Sequence, residues 1–144
     1  MKQYSALAII STIGGLLIAL LGGWDKMLET LIILGIVDYC TGLIVALVFR
    51  KSPKTKSGGL SSKVGWKGLV RKGMVLVIVL VAHRVDLIMG ISMVRSAVIL
   101  GFSINEAISI IENATIMGVP IPEKLKKAIE LLNPKAKFKE DSKK

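Results

Sequence analysis

The chain has 144 residues, of which 52% are hydrophobic and only 5% aromatic, and its mean hydropathy is +0.63. Its apolar residues form long unbroken blocks instead of alternating with polar ones, so the composition predicts an integral membrane protein rather than a water-soluble domain. The net charge is +10, but the basic residues flank the apolar blocks and only Trp66 among them offers a base-stacking ring. This pattern favours the lipid bilayer as partner and argues against nucleic acid.

The first apolar block predicts a transmembrane helix over about residues 4–24. It carries no charged residue and is long enough to cross a hydrocarbon core of about 30 Å. Small residues recur at four-residue intervals along one face, a pattern that lets membrane helices approach closely and associate. These predicted packing residues are Ser11, Gly15, Ala19 and Gly23.

The second block predicts a helix over about residues 31–49, which contains Asp38 and ends at Arg50 and Lys51. The following segment, 50–72, is rich in Ser, Gly and Lys and has no acidic residue. We expect it to form a flexible loop that stays in the cytoplasm, because positive charge resists translocation.

Two further helices are predicted over about residues 73–89 and 97–112, although charged residues interrupt both. Two more crossings would keep the N-terminus, the basic loop and the C-terminus in the cytoplasm. The alternative is that this region forms a re-entrant or interfacial hairpin and does not cross. The sequence thus predicts an all-α protein with three to four transmembrane helices in a domain spanning residues 1–118.

The remaining segment, 119–144, begins with Pro120 and Pro122, which separate two helices. A short amphipathic helix is predicted over about residues 123–133, with its apolar face on the inner leaflet and lysines beside it. A charged tail follows.

Catalytic chemistry is not predicted, because one His, one Cys and scattered acids supply no nucleophile with its base, no metal-ligand cluster and no phosphate loop. We therefore expect neither enzyme activity nor a cofactor. Charges inside a membrane helix are costly and normally face a partner or water. Three alternatives are open for Asp38: it pairs with a residue such as Arg84, it lines an aqueous lumen, or it stays neutral. His83, Arg84 and Asp86 lie within one helical turn and form a local polar group, in which the spacing allows Asp86 to pair with His83.

The order of polar and small residues resembles the holin family of phage lysis and toxin-secretion proteins, found mainly in Gram-positive systems. The residues that carry the resemblance are Asp38 and Gly42 in the second helix, Ser61, Ser62, Gly65, Gly68 and Lys72 in the basic segment, Asp86, and then Glu106, Ser109, Glu112, Asn113, Gly118, Pro120 and Pro122. The last group is the most specific, since it matches a pattern of Glu, Ser-Ile-x-Glu-Asn and Gly-x-Pro-x-Pro.

The resemblance implies that copies accumulate in the bacterial cytoplasmic membrane, assemble into homo-oligomers and open lesions that release an endolysin or a toxin. Two other functions fit the residues. One is a small ion or solute transporter or channel that uses Asp38 and Asp86 as coupling carboxylates. The other is a membrane anchor that recruits a partner through the basic loop.

Overall fold

A computed structural model describes residues 2–132, with side chains from residue 6 onward, and within that range every regular element is a helix. The helices are α1 (Lys2–Leu20), α2 (Lys26–Ile44) continuing into a π-helical turn (Val45–Phe49), α3 (Ser62–Met89), α4 (Val94–Ile116) and α5 (Glu123–Leu132). This confirms the predicted all-α class. The predicted charged tail lies outside the described residues.

Two of the described helices are long and apolar enough to cross a membrane: α2 with its π-helical end, Lys26–Phe49, and α4, Val94–Ile116. α1 contains a shorter apolar stretch, Ala6–Leu20. Length and composition therefore identify two candidate spans, and the predicted number of three to four remains a prediction.

Helices α2, α3 and α4 form one bundle, whereas α1 makes little contact with the other helices. The bundle core consists of Leu28 and Leu31 from α2, Val79 from α3 and Ile99 from α4, all almost inaccessible. Lipid tails are as apolar as leucine, so in a membrane this burial stabilises the bundle through close packing rather than through exclusion of water.

Helix α3 begins at Ser62, well before the predicted start at residue 73, so the basic segment has a loop of only residues 50–61. That loop is folded by hydrogen bonds from Ser52 N to the Gly58 carbonyl (2.8 Å) and from Thr55 Oγ1 to the Gly59 carbonyl (2.8 Å). It differs from the flexible 50–72 loop expected from composition. The glycines and lysines that suggested a loop lie instead on the first turns of a helix.

Helix α5 packs against the second half of α4, where Ile129 is buried with Ile108 and Ile111. The connection ends α4 at Gly118, whose φ of +81° suits glycine. The sequence predicted that the apolar face of α5 lies on the inner leaflet. The structure instead covers part of that face with α4.

Candidate functional site: a polar cluster between three helices

The ammonium of Lys72 on α3 lies between two carboxylates, that of Asp38 on α2 and that of Glu106 on α4. Its Nζ donates to Asp38 Oδ2 at 2.9 Å and to Glu106 Oε2. The three side chains are 21%, 11% and 14% exposed, respectively, for Lys72, Asp38 and Glu106. One cation thus connects three helices, and we call this group with its neighbours Asn113 and Thr41 the polar cluster.

Asn113 and Thr41 complete the hydrogen bonding of Asp38. Asn113 Nδ2 donates to Asp38 Oδ1 at 3.3 Å and to Thr41 Oγ1 at 3.0 Å. Thr41 Oγ1 in turn donates to the main-chain carbonyl of Asp38 at 3.0 Å. Among the described residues, no buried side-chain polar atom lacks a hydrogen-bond partner, as a low-dielectric environment requires.

Glycines bring the three helices close enough for these contacts. A Cβ at Gly65 would lie 3.5 Å from Tyr39 Oη, and one at Gly68 would lie 3.7 Å from Tyr39 Cε2. A Cβ at Gly42 would lie 3.8 Å from Asn113 Nδ2. Seven of the family-motif residues therefore converge on one place, which their sequence separations did not show: Asp38, Gly42, Gly65, Gly68, Lys72, Glu106 and Asn113.

The position of the polar cluster makes its charges expensive. Asp38 lies near the middle of Lys26–Phe49 and Glu106 near the middle of Val94–Ile116, the two candidate spans. An unpaired ion at mid-bilayer costs at least about 2.5–3.5 kcal/mol, so ions there are paired or reach water. The described residues contain no group of three or more metal-ligating side chains, and the cation between the carboxylates is Lys72 itself.

A second polar group ties the α1–α2 turn to the start of α4 through Arg95, which is buried. Arg95 donates from Nε to the Leu21 carbonyl (2.6 Å) and from Nη2 to the Gly23 carbonyl (3.1 Å). Its Nη1 pairs with Asp25 Oδ2 at 2.5 Å, while Asp25 Oδ1 accepts from Leu28 N (2.8 Å) and caps α2. Burial acts to raise the pKa of Asp25, but the hydrogen bonds from Arg95 and Leu28 outweigh it and lower the pKa below its ordinary value.

Asp86 caps α4 rather than pairing with His83. Its two carboxylate oxygens accept from Val94 N and Arg95 N, each at 2.9 Å, so α3 and α4 are joined at this end. His83 points toward the α1–α2 turn, where its Nδ1 would lie 2.8 Å from a Cβ at Gly22. Arg84 is exposed, and the partner of Asp38 is Lys72 instead of Arg84.

The other predicted residues lie outside both polar groups. Ser11, Gly15 and Ala19 are exposed on α1, Ser61 and Ser62 form the start of α3, Ser109 is half-buried, and Glu112, Gly118, Pro120 and Pro122 are exposed. Sequence reasoning missed the roles of Arg95, Asp25 and Thr41. A usable signal existed for Asp25 alone, since an Asp directly before an apolar helix is a common N-cap.

Comparison with known proteins gives a consistent result. The model of the bacteriophage holin family matches residues 15–134. A 14.9 kDa protein of Clostridium perfringens, named for its position 3' of nagH, is 41% identical over 88% of this chain and 91% of its own length. A protein named as a probable holin of Bacillus phage phi105 is 37% identical over 72% of each chain. No solved structure matches.

Proposed function

The chain belongs to the bacteriophage holin family, and from this premise we propose that it is a holin of the bacterial cytoplasmic membrane. In this proposal copies of the protein accumulate in the membrane, associate and open holes that release an endolysin or a toxin. The relative named as a probable phage holin supports this function. The structural observation that carries it is the polar cluster, a set of charges closed inside a bundle of apolar helices.

We propose that α1, α2, α3 and α4 each cross the membrane. The end of α1, the start of α2, the end of α3 and the start of α4 meet at Arg95 and Asp86, so the bundle has alternating chain directions. The opposite end carries the acid-free segment 50–72. The positive-inside rule then places that end, with both termini, in the cytoplasm.

The polar cluster suggests how a closed monomer becomes part of a hole. Within one copy, Lys72 gives both carboxylates a cationic partner inside the bundle and so lowers the cost of holding charge there, and in this proposal the monomer is harmless in the membrane. When copies associate, the same side chains gain water as a partner if the helices separate at this point. We propose that the polar cluster opens in this way and contributes to the aqueous lining of the hole.

Helix α1 is the proposed contact between copies. Its apolar side chains are largely exposed, for example Leu7 at 65% and Leu16 at 60%, and it has little contact with its own bundle. The face with Ser11, Gly15 and Ala19 permits a close approach to another helix in lipid.

A transporter is a weaker proposal, because Asp86 is engaged by two backbone amides of α4 and is not free to couple to an ion. Induction of the protein in bacteria separates the functions. In cells that also produce an endolysin, a holin leads to lysis and releases a folded cytoplasmic enzyme into the medium, whereas a selective transporter dissipates an ion gradient and retains the enzyme. An anchor does neither, and retention of the enzyme at full protein accumulation contradicts the holin proposal.

A further inference from the structure

We propose that the 50–61 loop and the first turns of α3 form a binding surface for anionic phospholipid headgroups. This basic surface consists of Arg50, Lys51, Lys54, Lys56, Lys63, Lys67 and Arg71, all of which are exposed, and the segment that contains them has no acidic residue. Clustered Lys and Arg next to a membrane helix attract anionic lipid electrostatically. The inference requires a membrane location but not hole formation.

The first turns of α3 have three different faces, as a helix at a membrane surface does: a basic face, an exposed apolar face and a face packed against α2. Lys63, Lys67 and Arg71 follow one another at intervals of four residues and form one stripe along the helix. Trp66, three residues after Lys63, and Leu69, three residues after Trp66, form a neighbouring apolar face, and they are 67% and 50% exposed. An exposed tryptophan beside lysines is typical of the membrane–water interface.

The third face fixes the depth of this segment. Gly65 and Gly68 lie against Tyr39, so the first turns of α3 run alongside the second half of α2 and do not project beyond it. Lys63 and Lys67 on the neighbouring stripe therefore lie beside the second half of a candidate membrane span, nine and five residues nearer the start of α3 than Lys72. Long cationic side chains at that level extend along apolar surface and place their charge among headgroups.

A cavity of about 310 Å³ lies between the 50–61 loop and the π-helical end of α2. Ala46, Leu47 and Leu60 form its apolar wall, and Arg50, Ser57 and Gly59 its polar wall. A phospholipid has the same division at the junction of headgroup and acyl chain. A nucleic acid fits less well, because Trp66 is the single aromatic residue of the segment 50–72 and base stacking needs several.

The test uses tryptophan fluorescence, since the chain has two tryptophans. The full-length Trp24→Phe protein, which retains Trp66, is reconstituted in vesicles of equal phosphatidylglycerol and phosphatidylcholine, with brominated acyl chains on one lipid or the other. We expect brominated phosphatidylglycerol to quench Trp66 more strongly than brominated phosphatidylcholine does. In the Trp66→Phe protein, Trp24 at the opposite end of α2 should be quenched equally by both.

Adding Lys63→Gln, Lys67→Gln and Arg71→Gln together should abolish the excess quenching of Trp66. The matched control, Lys124→Gln with Lys127→Gln on α5, should retain it. Equal quenching by both lipids in the parent overturns the proposal, as does an unquenched Trp66, or an excess that survives the triple substitution. If the triple variant loses its helical circular dichroism, Lys63→Gln and Arg71→Gln are tested singly; each should lower the excess, and no change in either overturns the proposal.

Discussion

Replacing Lys72 with methionine keeps most of the length of the side chain and removes the cation that holds Asp38 and Glu106 together. Both carboxylates are mostly buried, so each loses its charged partner without gaining water. Removing one member of a buried ion pair typically costs about 3–5 kcal/mol. We expect Lys72→Met to lower the free energy of unfolding of the bundle by roughly this amount, which is a factor of roughly 150 to 5,000 in the equilibrium constant.

Two variants make this expectation specific. Lys67→Met removes an exposed cation from the same helix and should change the free energy of unfolding little. Combining Lys72→Met with Asp38→Leu and Glu106→Leu removes every charge, and apolar replacement of a whole buried ion cluster is often neutral or stabilising.

The assays are thermal unfolding in detergent and the time of lysis after induction together with an endolysin. Lys72→Met should unfold at lower temperature and, at equal accumulation, lyse cells early, because the closed bundle is weakened. The triple variant should recover stability and lyse late or not at all, because no polar lining remains. The reasoning is refuted if Lys72→Met and Lys67→Met unfold at the same temperature.

Three other substitutions test two contacts. One is the contact between copies; the other is the set of hydrogen bonds by which Arg95 joins the α1–α2 turn to α4, which we call the Arg95 tie. Gly15→Leu should delay lysis and weaken cross-linking between copies, while the matched Gly14→Leu, also in open space but on another face, should do neither; equal effects of the two refute the packing face. Gly22→Ala forces a side chain onto a φ of +91° and into Arg95, so thermal unfolding should show a loss of about 1–3 kcal/mol, and unchanged stability would contradict the tie. Because the pKa of Asp25 is lowered in the folded state, its contribution to stability is present above its unfolded pKa of about 3.9 and is lost as the pH falls through the folded value. The melting temperature of the parent should therefore decrease as the pH is lowered below about 4. Asp25→Asn should lack that part of the pH dependence.

The helical character of this chain was predictable from its apolar blocks, but the start of α3 was not. Lys63, Lys67 and Arg71 suggested a cytoplasmic loop because charge and glycine usually end a membrane helix. Here the same spacing puts the charges on one stripe and the glycines on the packed face. Hydropathy averages the faces of a helix and does not separate them.

The polar cluster was predictable in part. An Asp inside an apolar block requires a partner or water, which singled out Asp38, but the identity of the partner depends on the register between α2 and α3. Arg84 lies in an apolar block and was the partner considered, as one of three alternatives for Asp38, whereas Lys72 lay in the predicted loop. The register is set by Gly65 and Gly68 against Tyr39, a contact between helices that no local pattern reveals.

The Arg95 tie was missed for a related reason. Its partners are two main-chain carbonyls of a turn, at Leu21 and Gly23, and a backbone acceptor leaves no signature in the sequence. An arginine in an apolar stretch thus appeared to be a cost. In the structure its guanidinium donates to the main-chain carbonyls that follow α1 and pairs with Asp25, which caps the start of α2.

We propose above all that the polar cluster is closed in the monomer and meets water in the hole. Labelling of Thr41→Cys in a Cys40→Ser background tests it most directly, with a small hydrophilic thiol reagent applied to both faces of membranes isolated before and after lysis begins. The parent protein, labelled in parallel, is the control: its native Cys40 is exposed on the outside of the bundle, where it would face lipid, and it should stay unreactive throughout. We predict that Cys at position 41 is protected before lysis begins and labelled afterwards; protection in both membranes, or labelling in both, would contradict the account.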